Sequence, residues 1–313
     1  MPRIIVTGAF GQIGSELTSA LREQYGPDNV VATGRHVPEA ASSAGPAEVL
    51  DVTDAASVQE TFRRLEPDIV YHLAARLSAV AEQDPESAWQ VNVEGLRNVL
   101  RAARDVAAER MFWPSSIAAF GPDTPRIAVP QDTIMRPTTI YGIAKVAGEL
   151  LCNYYLARYG LDVRGVRYPG VISSGSPPGG GTTDYAVEIF YAALQRGKYT
   201  AFVRADCVLP MIYMPDCINA ATKLMQAPRE RLLHHNSFNV TAMSFSAGEL
   251  AREIKRHLPN FVCKFAPDER QAIADSWPQS LDDSAARKEW GWQPSYDLPA
   301  MTEDMLATLR ARL

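Results

Sequence analysis

The chain has little cysteine, little histidine and no long apolar run, and each shortage removes a class of function. Its 313 residues include four cysteines, Cys152, Cys207, Cys217 and Cys263, with no Cys-x-x-Cys pair. They read as reduced thiols of a cytoplasmic protein rather than as a disulfide framework or a zinc site. The five histidines include the doublet His234-His235 but no His-x-x-x-His ligand pair, and no metal site is expected. Nothing approaches a run of about eighteen apolar residues, and the N-terminus lacks the basic, apolar and small segments of an export signal. No membrane span and no secretion by that route are expected. Positive charge is not in excess either, since 31 Lys and Arg stand against 36 Asp and Glu for a net charge of -5. That balance gives no electrostatic reason for nucleic acid or an anionic membrane as partner, and leaves small molecules. There is no internal repeat, and the nearest approach to low complexity is the Gly/Pro/Ser/Thr-rich stretch 173–183.

What is present is a 46% hydrophobic composition, enough for one large α/β unit or a main domain with a smaller lobe. The β-branched run Arg3–Thr7 ends at Gly8, and a helical pattern follows with Ile13, Leu17, Leu21 and Tyr25 on one side. Between them lies a Gly-x-x-Gly-x-x-Gly turn, one residue looser than the Rossmann form. Gly8 permits the turn, Gly11 lets the backbone approach a pyrophosphate, and Gly14 lets helix and strand pack closely. The helix N-terminus then faces the phosphates.

After a second strand, Asn29–Thr33, an acidic residue would bond the ribose hydroxyls and repel a 2′-phosphate. Gly34-Arg35-His36 stands there instead, which weakens discrimination against NADP. Asp51 is placed to meet the adenine amino group, and Asp54 is an N-cap. The strand Asp68–Leu73 ends in Ala74-Ala75, small side chains that leave room for a cofactor at the carboxyl edge of the sheet, with Ser78 close behind. Asp84-Pro85 opens a long helix through Leu100. A fifth strand, Arg110–Trp113, ends in Pro114-Ser115-Ser116, and a sixth runs through Leu161–Tyr168.

This alternation describes an α/β fold, a Rossmann-type doubly wound parallel sheet over 1–170. Residues 171–313 form mainly a small C-terminal substrate-binding lobe, with roughly 208–240 interleaved with the first part. Strands near 208–213 and 236–240, helices near 215–226 and 299–312, and a capping box at Ser246–Glu249 fit that lobe. Trp277, Trp290 and Trp292 read as packing residues.

Tyr141 and Lys145 lie four apart at the start of a helical run, hence on one face. Lowering a tyrosine from its ordinary value to neutrality means stabilising the phenolate by roughly 4 kcal/mol, which an adjacent ammonium and an oxidised nicotinamide ring can supply. The product is a general base that takes a proton from an alcohol while hydride leaves the same carbon. Ser116, at a strand end, is placed to hold the reacting oxygen against Tyr141, and Ser115 should point the other way.

The glycine turn at 8–14, Ser116 and Tyr141-x-x-x-Lys145 resemble the extended short-chain dehydrogenase/reductase superfamily. A narrower likeness rests on Pro114–Gly121, Arg167–Ser173, Pro178–Val187, Ala274–Pro278 and Asp282–Ser284. Together these stretches resemble the epimerase-like L-threonine 3-dehydrogenases, from the first strand to the last helix.

The resemblance implies oxidation of the threonine β-hydroxyl to 2-amino-3-oxobutanoate, with Tyr141 as base, Lys145 lowering its pKa and Ser116 holding the oxygen. It implies cofactor contacts at Gly8, Gly11, Gln12, Ile13, Gly14, Arg35, Asp51, Val52, Leu73, Ala74, Ala75, Asn92, Tyr141, Lys145, Tyr168 and Pro169. For the amino acid it implies Ser78, Ser116, Tyr141, Thr182, Thr183 and the Gly179–Gly181 amides, Gly180 among them, with Trp277 and the 175–185 segment closing over it. It also implies a homodimer through the helices at 84–107 and 141–159. The family carries Asp at the end of the second strand, so Gly34-Arg35 is a departure: membership points to NAD, local chemistry to tolerance of NADP.

Three other readings remain open. A dehydrogenase of another β-hydroxy amino acid shares every feature above. A nucleotide-sugar 4-epimerase usually has Phe-Asn where Pro169-Gly170 stands, and a non-catalytic NAD(P)-sensing protein typically lacks the tyrosine or lysine.

Overall fold

Short runs of β-branched and aromatic residues, each followed by a helix with one apolar face, build the main layer of the molecule. The computed structural model describes all residues except Pro177 and Pro178 and the side chains of Ala40 and Ser42. Its first eight strands are β1 (Ile4–Thr7), β2 (Val30–Gly34), β3 (Ala47–Val49), β4 (Ile69–His72), β5 (Arg110–Phe112), β6 (Ser115–Ser116), β7 (Asp162–Arg164) and β8 (Val166–Tyr168). Six of these form a parallel sheet in the order β3-β2-β1-β4-β5-β7. Chain direction across the sheet reverses between β1 and β4, the switch point at which ligands of such sheets bind. Alternate residues face opposite layers. Ile4 and Val6 pack with Leu17 and Leu21 of α1 (Gln12–Tyr25), while Ile5, Val70 and Met111 pack with Val58 and Phe62 of α2 (Ala55–Leu65).

The sequence predicts a strand over 110–113 that ends in Pro114-Ser115-Ser116, and a single strand over 161–168; the first is followed by a second short strand after Pro114, and the other is interrupted. Pro114 brings no N–H to a ladder, and the Gly165 backbone passes so close to Trp113 that a Cβ would lie 2.2 Å from its carbonyl oxygen. Beyond the breaks the ladder resumes in the same register, Phe112 facing Arg164 and Ser115 facing Arg167. The long helix expected from Asp84 is also divided, into Pro85–Trp89, a π turn at Gln90–Glu94 and Gly95–Asp105. Asp84 caps its start by accepting from the Ser87 N–H, and Asp54 caps α2 in the same way through Ala56 and Ser57.

The remaining strands are β9 (Gly170–Ile172), β10 (Lys198–Ala201), β11 (Val208–Tyr213), β12 (Phe238–Asn239), β13 (Met243–Ser246) and β14 (Val262–Phe265). β12 adds to β8, β11 lies between β9 and β13, and β10 pairs with β14. A further core holds Tyr185, Phe190, Leu250, Trp277 and Met305, over which the helix Ala247–His257 starts with the capping box of Ser246 and Glu249. Helix Met214–Gln226, Trp290 and Trp292 instead join the core under α1. No helix of the described residues is long and apolar enough to cross a membrane.

Candidate active site

The cleft begins at the carboxyl ends of β1 and β4. Gly8 has φ +72, and a Cβ there would lie 2.5 Å from the Ala74 backbone nitrogen. Only glycine combines that left-handed conformation with that approach. Gly14 brings α1 against the turn, where a Cβ would meet the Gly8 carbonyl at 2.1 Å. The first turn of α1 carries no acidic residue, so its N-terminus is open to an anion.

One part of the cleft is lined by Phe10, Gly34, Arg35, His36, Asp51 and Val52, with Gly8, Gly11 and Leu73–Arg76 as its floor. Asp51 accepts from the Thr53 N–H and hydroxyl through one oxygen, and Arg35 makes no ion pair or side-chain hydrogen bond among the described residues. The other part shares Gly8, Gly11 and Leu73–Ala75 and adds Gln12, Ile13, Gly14, Tyr168 and Pro169. Such a lining fits a dinucleotide, with a phosphate-accepting helix end between a polar and a catalytic compartment.

Asn92 is not brought to the cleft. It is 5% exposed, and its amide bonds both the N–H and the C=O of Arg76, so it supports the wall rather than facing a ligand. Tyr168 faces the cleft with its ring, while its hydroxyl donates to the Cys217 carbonyl at 2.7 Å.

The catalytic compartment gathers Ser116, Tyr141 and Lys145. Thr139 caps the helix Ile140–Tyr159 by accepting from the Gly142 N–H, which fixes Tyr141 in its first turn. Burial pushes the Tyr141 phenol up to about 12, and the Ser116 hydroxyl beside it pulls the other way. Lys145 is 4% exposed, donates to the Pro114 carbonyl at 2.6 Å and lies 4.6 Å over the Trp113 ring and 5.4 Å from the Tyr141 ring. Burial draws its ammonium down to about 8, against the pull of Cys152 and Glu149. By themselves these residues hold the phenol above its ordinary value, so lowering it requires a further positive charge, such as an oxidised nicotinamide.

The same cavity is lined further by Ser78, Gly181, Thr182, Thr183, Asp184 and Trp277. The hydroxyls of Ser78 and Thr182 lie 3.1 Å apart. Gly180 lies outside this lining, and its N–H and that of Gly181 donate to Asp184 at 2.7 and 2.8 Å. Those amides are therefore engaged already. Pro177 and Pro178 of the expected closing segment lie outside the described residues.

Two titratable residues lining the cavity around Tyr141 escaped the sequence. Among the described residues Asp184 is the cavity's only carboxylate, raised by burial and lowered by the glycine N–H groups; its signal was an acid directly after Thr182-Thr183 at a helix start. His72, 1% exposed, pairs Nδ1 with the Thr7 hydroxyl at 2.6 Å while its Nε2 has no partner. Burial, and then Lys145, hold His72 down to about 3, and no sequence signal marks it.

Residues 4–241 match the NAD dependent epimerase/dehydratase family. An uncharacterized epimerase/dehydratase of Staphylococcus haemolyticus is 49% identical, covering 100% of this chain and 99% of its own. Among solved structures, an L-threonine dehydrogenase from Clostridium difficile is 50% identical with a TM-score of 0.97, covering 100% of this chain and 98% of its own. The holo form of a GalE-like L-threonine dehydrogenase from Cupriavidus necator is 50% identical with a TM-score of 0.96, covering 98% of this chain and 100% of its own.

Proposed function

Because the chain belongs to the NAD dependent epimerase/dehydratase family, we propose that it oxidises the β-hydroxyl of L-threonine to 2-amino-3-oxobutanoate, as an L-threonine 3-dehydrogenase. The observation that carries this reading is one cavity lined by Ser116, Tyr141 and Lys145 together with a single carboxylate among the described residues, Asp184. Identity near half with threonine dehydrogenases over the whole chain supports it.

Asp184 takes the substrate ammonium, and the hydroxyls of Ser78, Thr182 and Thr183 take its carboxylate. Ser116 holds the β-oxygen against Tyr141. A nicotinamide dinucleotide, bound along the glycine turn, supplies the acceptor for the hydride. Tyr141 receives the hydroxyl proton as its phenolate, and the Lys145 charge stabilises that phenolate and binds the ribose. Trp277 covers the site and excludes water. The product is a β-keto acid that loses CO2 to aminoacetone.

NAD is the proposed cofactor, with NADP accepted because Arg35 replaces the acid that would repel its phosphate. The protein is proposed to be cytoplasmic, to act in threonine breakdown and to work as a homodimer. Ile143, Leu150 and Tyr154, 43%, 61% and 53% exposed, lie on the helix that would pair.

Reduced-nicotinamide formation from L-threonine tests the reaction, with NAD and NADP in parallel and L-serine and L-allo-threonine as controls. Turnover of threonine is expected. Turnover of another β-hydroxy amino acid in its place would reassign Ser78, Thr183 and Asp184, and no turnover of any would remove the reading.

A further inference from the structure

Ser115 and Ser116 are neighbours on a two-residue strand, so their side chains leave it on opposite faces. Both residues line the cavity, and it is the Ser116 hydroxyl that stands beside Tyr141. Ser115 is 3% exposed and donates to Glu149 Oε1 at 2.5 Å. Glu149 stands one turn beyond Lys145 on the same helix and is gripped by Arg167, whose Nε and one terminal nitrogen reach its two oxygens at 2.9 and 2.8 Å. Arg167 lies opposite Ser115 in the β6–β8 ladder. Its other terminal nitrogen donates to the Gln131 carbonyl at 2.8 Å and to Asn239 Oδ1 at 3.1 Å.

Asn239 completes the cluster, donating its amide hydrogens to the carbonyls of Val129 and Asp282. Neither Glu149 nor Arg167 lines the cavity. A buried ion pair adds little stability over apolar side chains of the same volume. A fully bonded one fixes geometry.

We propose that Ser115 is a positioning residue of the reaction: its bond to the Glu149–Arg167 pair clamps β6 so that Ser116 is presented to Tyr141 and the Pro114 carbonyl to Lys145. The strand needs a clamp, being two residues long and preceded by a proline that donates nothing to the ladder. The proposal rests on the reading of Tyr141 as the base.

Its signature is a titration. The groups around Tyr141 are Lys145 on its own helix, Ser116 on β6 and Asp184 across the same cavity. Around Lys145 stand Glu149, Cys152 and His72. The Ser116 bond favours the phenolate, so a β6 released from its clamp leaves Tyr141 harder to ionise. Replacing Ser115 changes no charge, and the shift reports position alone.

The test is Ser115→Ala in the NAD complex, read by phenolate absorbance against the same protein carrying Tyr141→Phe, by threonine kinetics and by thermal midpoint. The Tyr141 midpoint is expected at higher pH, and kcat lower by about ten- to a hundredfold, as for a small displacement of a reacting group. KM for NAD should be unchanged, and Ser115→Thr should restore both. If Ser115→Ala does not fold, Ser115→Cys, near in size and a weaker donor, gives the same shift at smaller amplitude. An unchanged titration and kcat, whatever the thermal midpoint, overturns the clamp. The titration needs no substrate, so failure of the unaltered protein on threonine would remove the proposed reaction and leave the clamp separately decided.

Discussion

The half of the cleft proposed to take adenosine is lined from within one stretch of chain, from Gly8 to Val91, by glycines and alanines together with Phe10, Arg35, Asp51 and Arg76. The catalytic half gathers Ser78, Ser116, Tyr141, Thr183, Asp184 and Trp277 from stretches far apart in sequence. In the first half a turn conformation and a close approach, at Gly8, decide the shape. In the second, each functional group depends on bonds made by others: Asp184 on two glycine N–H groups, Ser78 on Thr182, Lys145 on a proline carbonyl. Damage to the first half should therefore act on cofactor binding, and damage to the second on chemistry or substrate.

The sharpest separation is expected from Tyr141→Phe, which removes the proposed base. Turnover should fall by about a thousandfold or more, while fluorescence titration with reduced cofactor should give an unchanged Kd. Loss of cofactor binding in that variant would dissolve the distinction between the halves. Next comes Asp184→Asn. Removing the proposed charge-assisted bond to the substrate ammonium should raise KM for threonine by about ten- to a hundredfold, with KM for the cofactor unaltered in the same assay.

Gly8→Ala attacks the other half. With φ +72 and a Cβ 2.5 Å from the Ala74 nitrogen, it should weaken cofactor binding by about tenfold or more, since the left-handed conformation alone costs about 1–2 kcal/mol. Calorimetric titration with NAD would show it, and unchanged affinity would mean that the turn does not shape the site. A smaller effect is expected from Arg35→Ala, a several-fold drop in kcat/KM for NADP with that for NAD retained. Equal loss for both cofactors would exclude a phosphate contact.

The smallest effect concerns stability. His72 is held neutral in the fold, well below its ordinary value, so protonation favours the unfolded chain. Stability should begin to fall as pH drops below about 6.5 and keep falling until about 3. Thermal midpoints in that window should fall less steeply for His72→Gln. Equal slopes would mean that another group carries the acid dependence.

Much of the cleft was legible because local spacing sets it. Glycines three apart after a β-branched run, small residues at Ala74-Ala75 and the four-residue step from Tyr141 to Lys145 each state a backbone geometry. The opposite facing of Ser115 and Ser116 followed from strand alternation alone. Asn92 shows the limit. The resemblance implied a cofactor contact there, but not that its amide would bond the Arg76 backbone, because the π turn that carries it has no spacing signature. Gly180 shows it again, since its N–H is taken by Asp184, a residue that local pattern marks only as the start of a helix.

The sequence by itself determined the order of strands and helices, the glycine turn after the first strand, and which face of one helix bears a tyrosine and a lysine. Those features depend on bonded neighbours and fixed periods, which any stretch of chain carries with it. Only the tertiary structure decided that burial sets the ionisation of Tyr141, Lys145 and His72, and that Asp184 is the cavity's one carboxylate among the described residues. It alone joined Ser115, Glu149 and Arg167. Desolvation and charge pairing act through space, between groups that meet only when the whole sheet has closed.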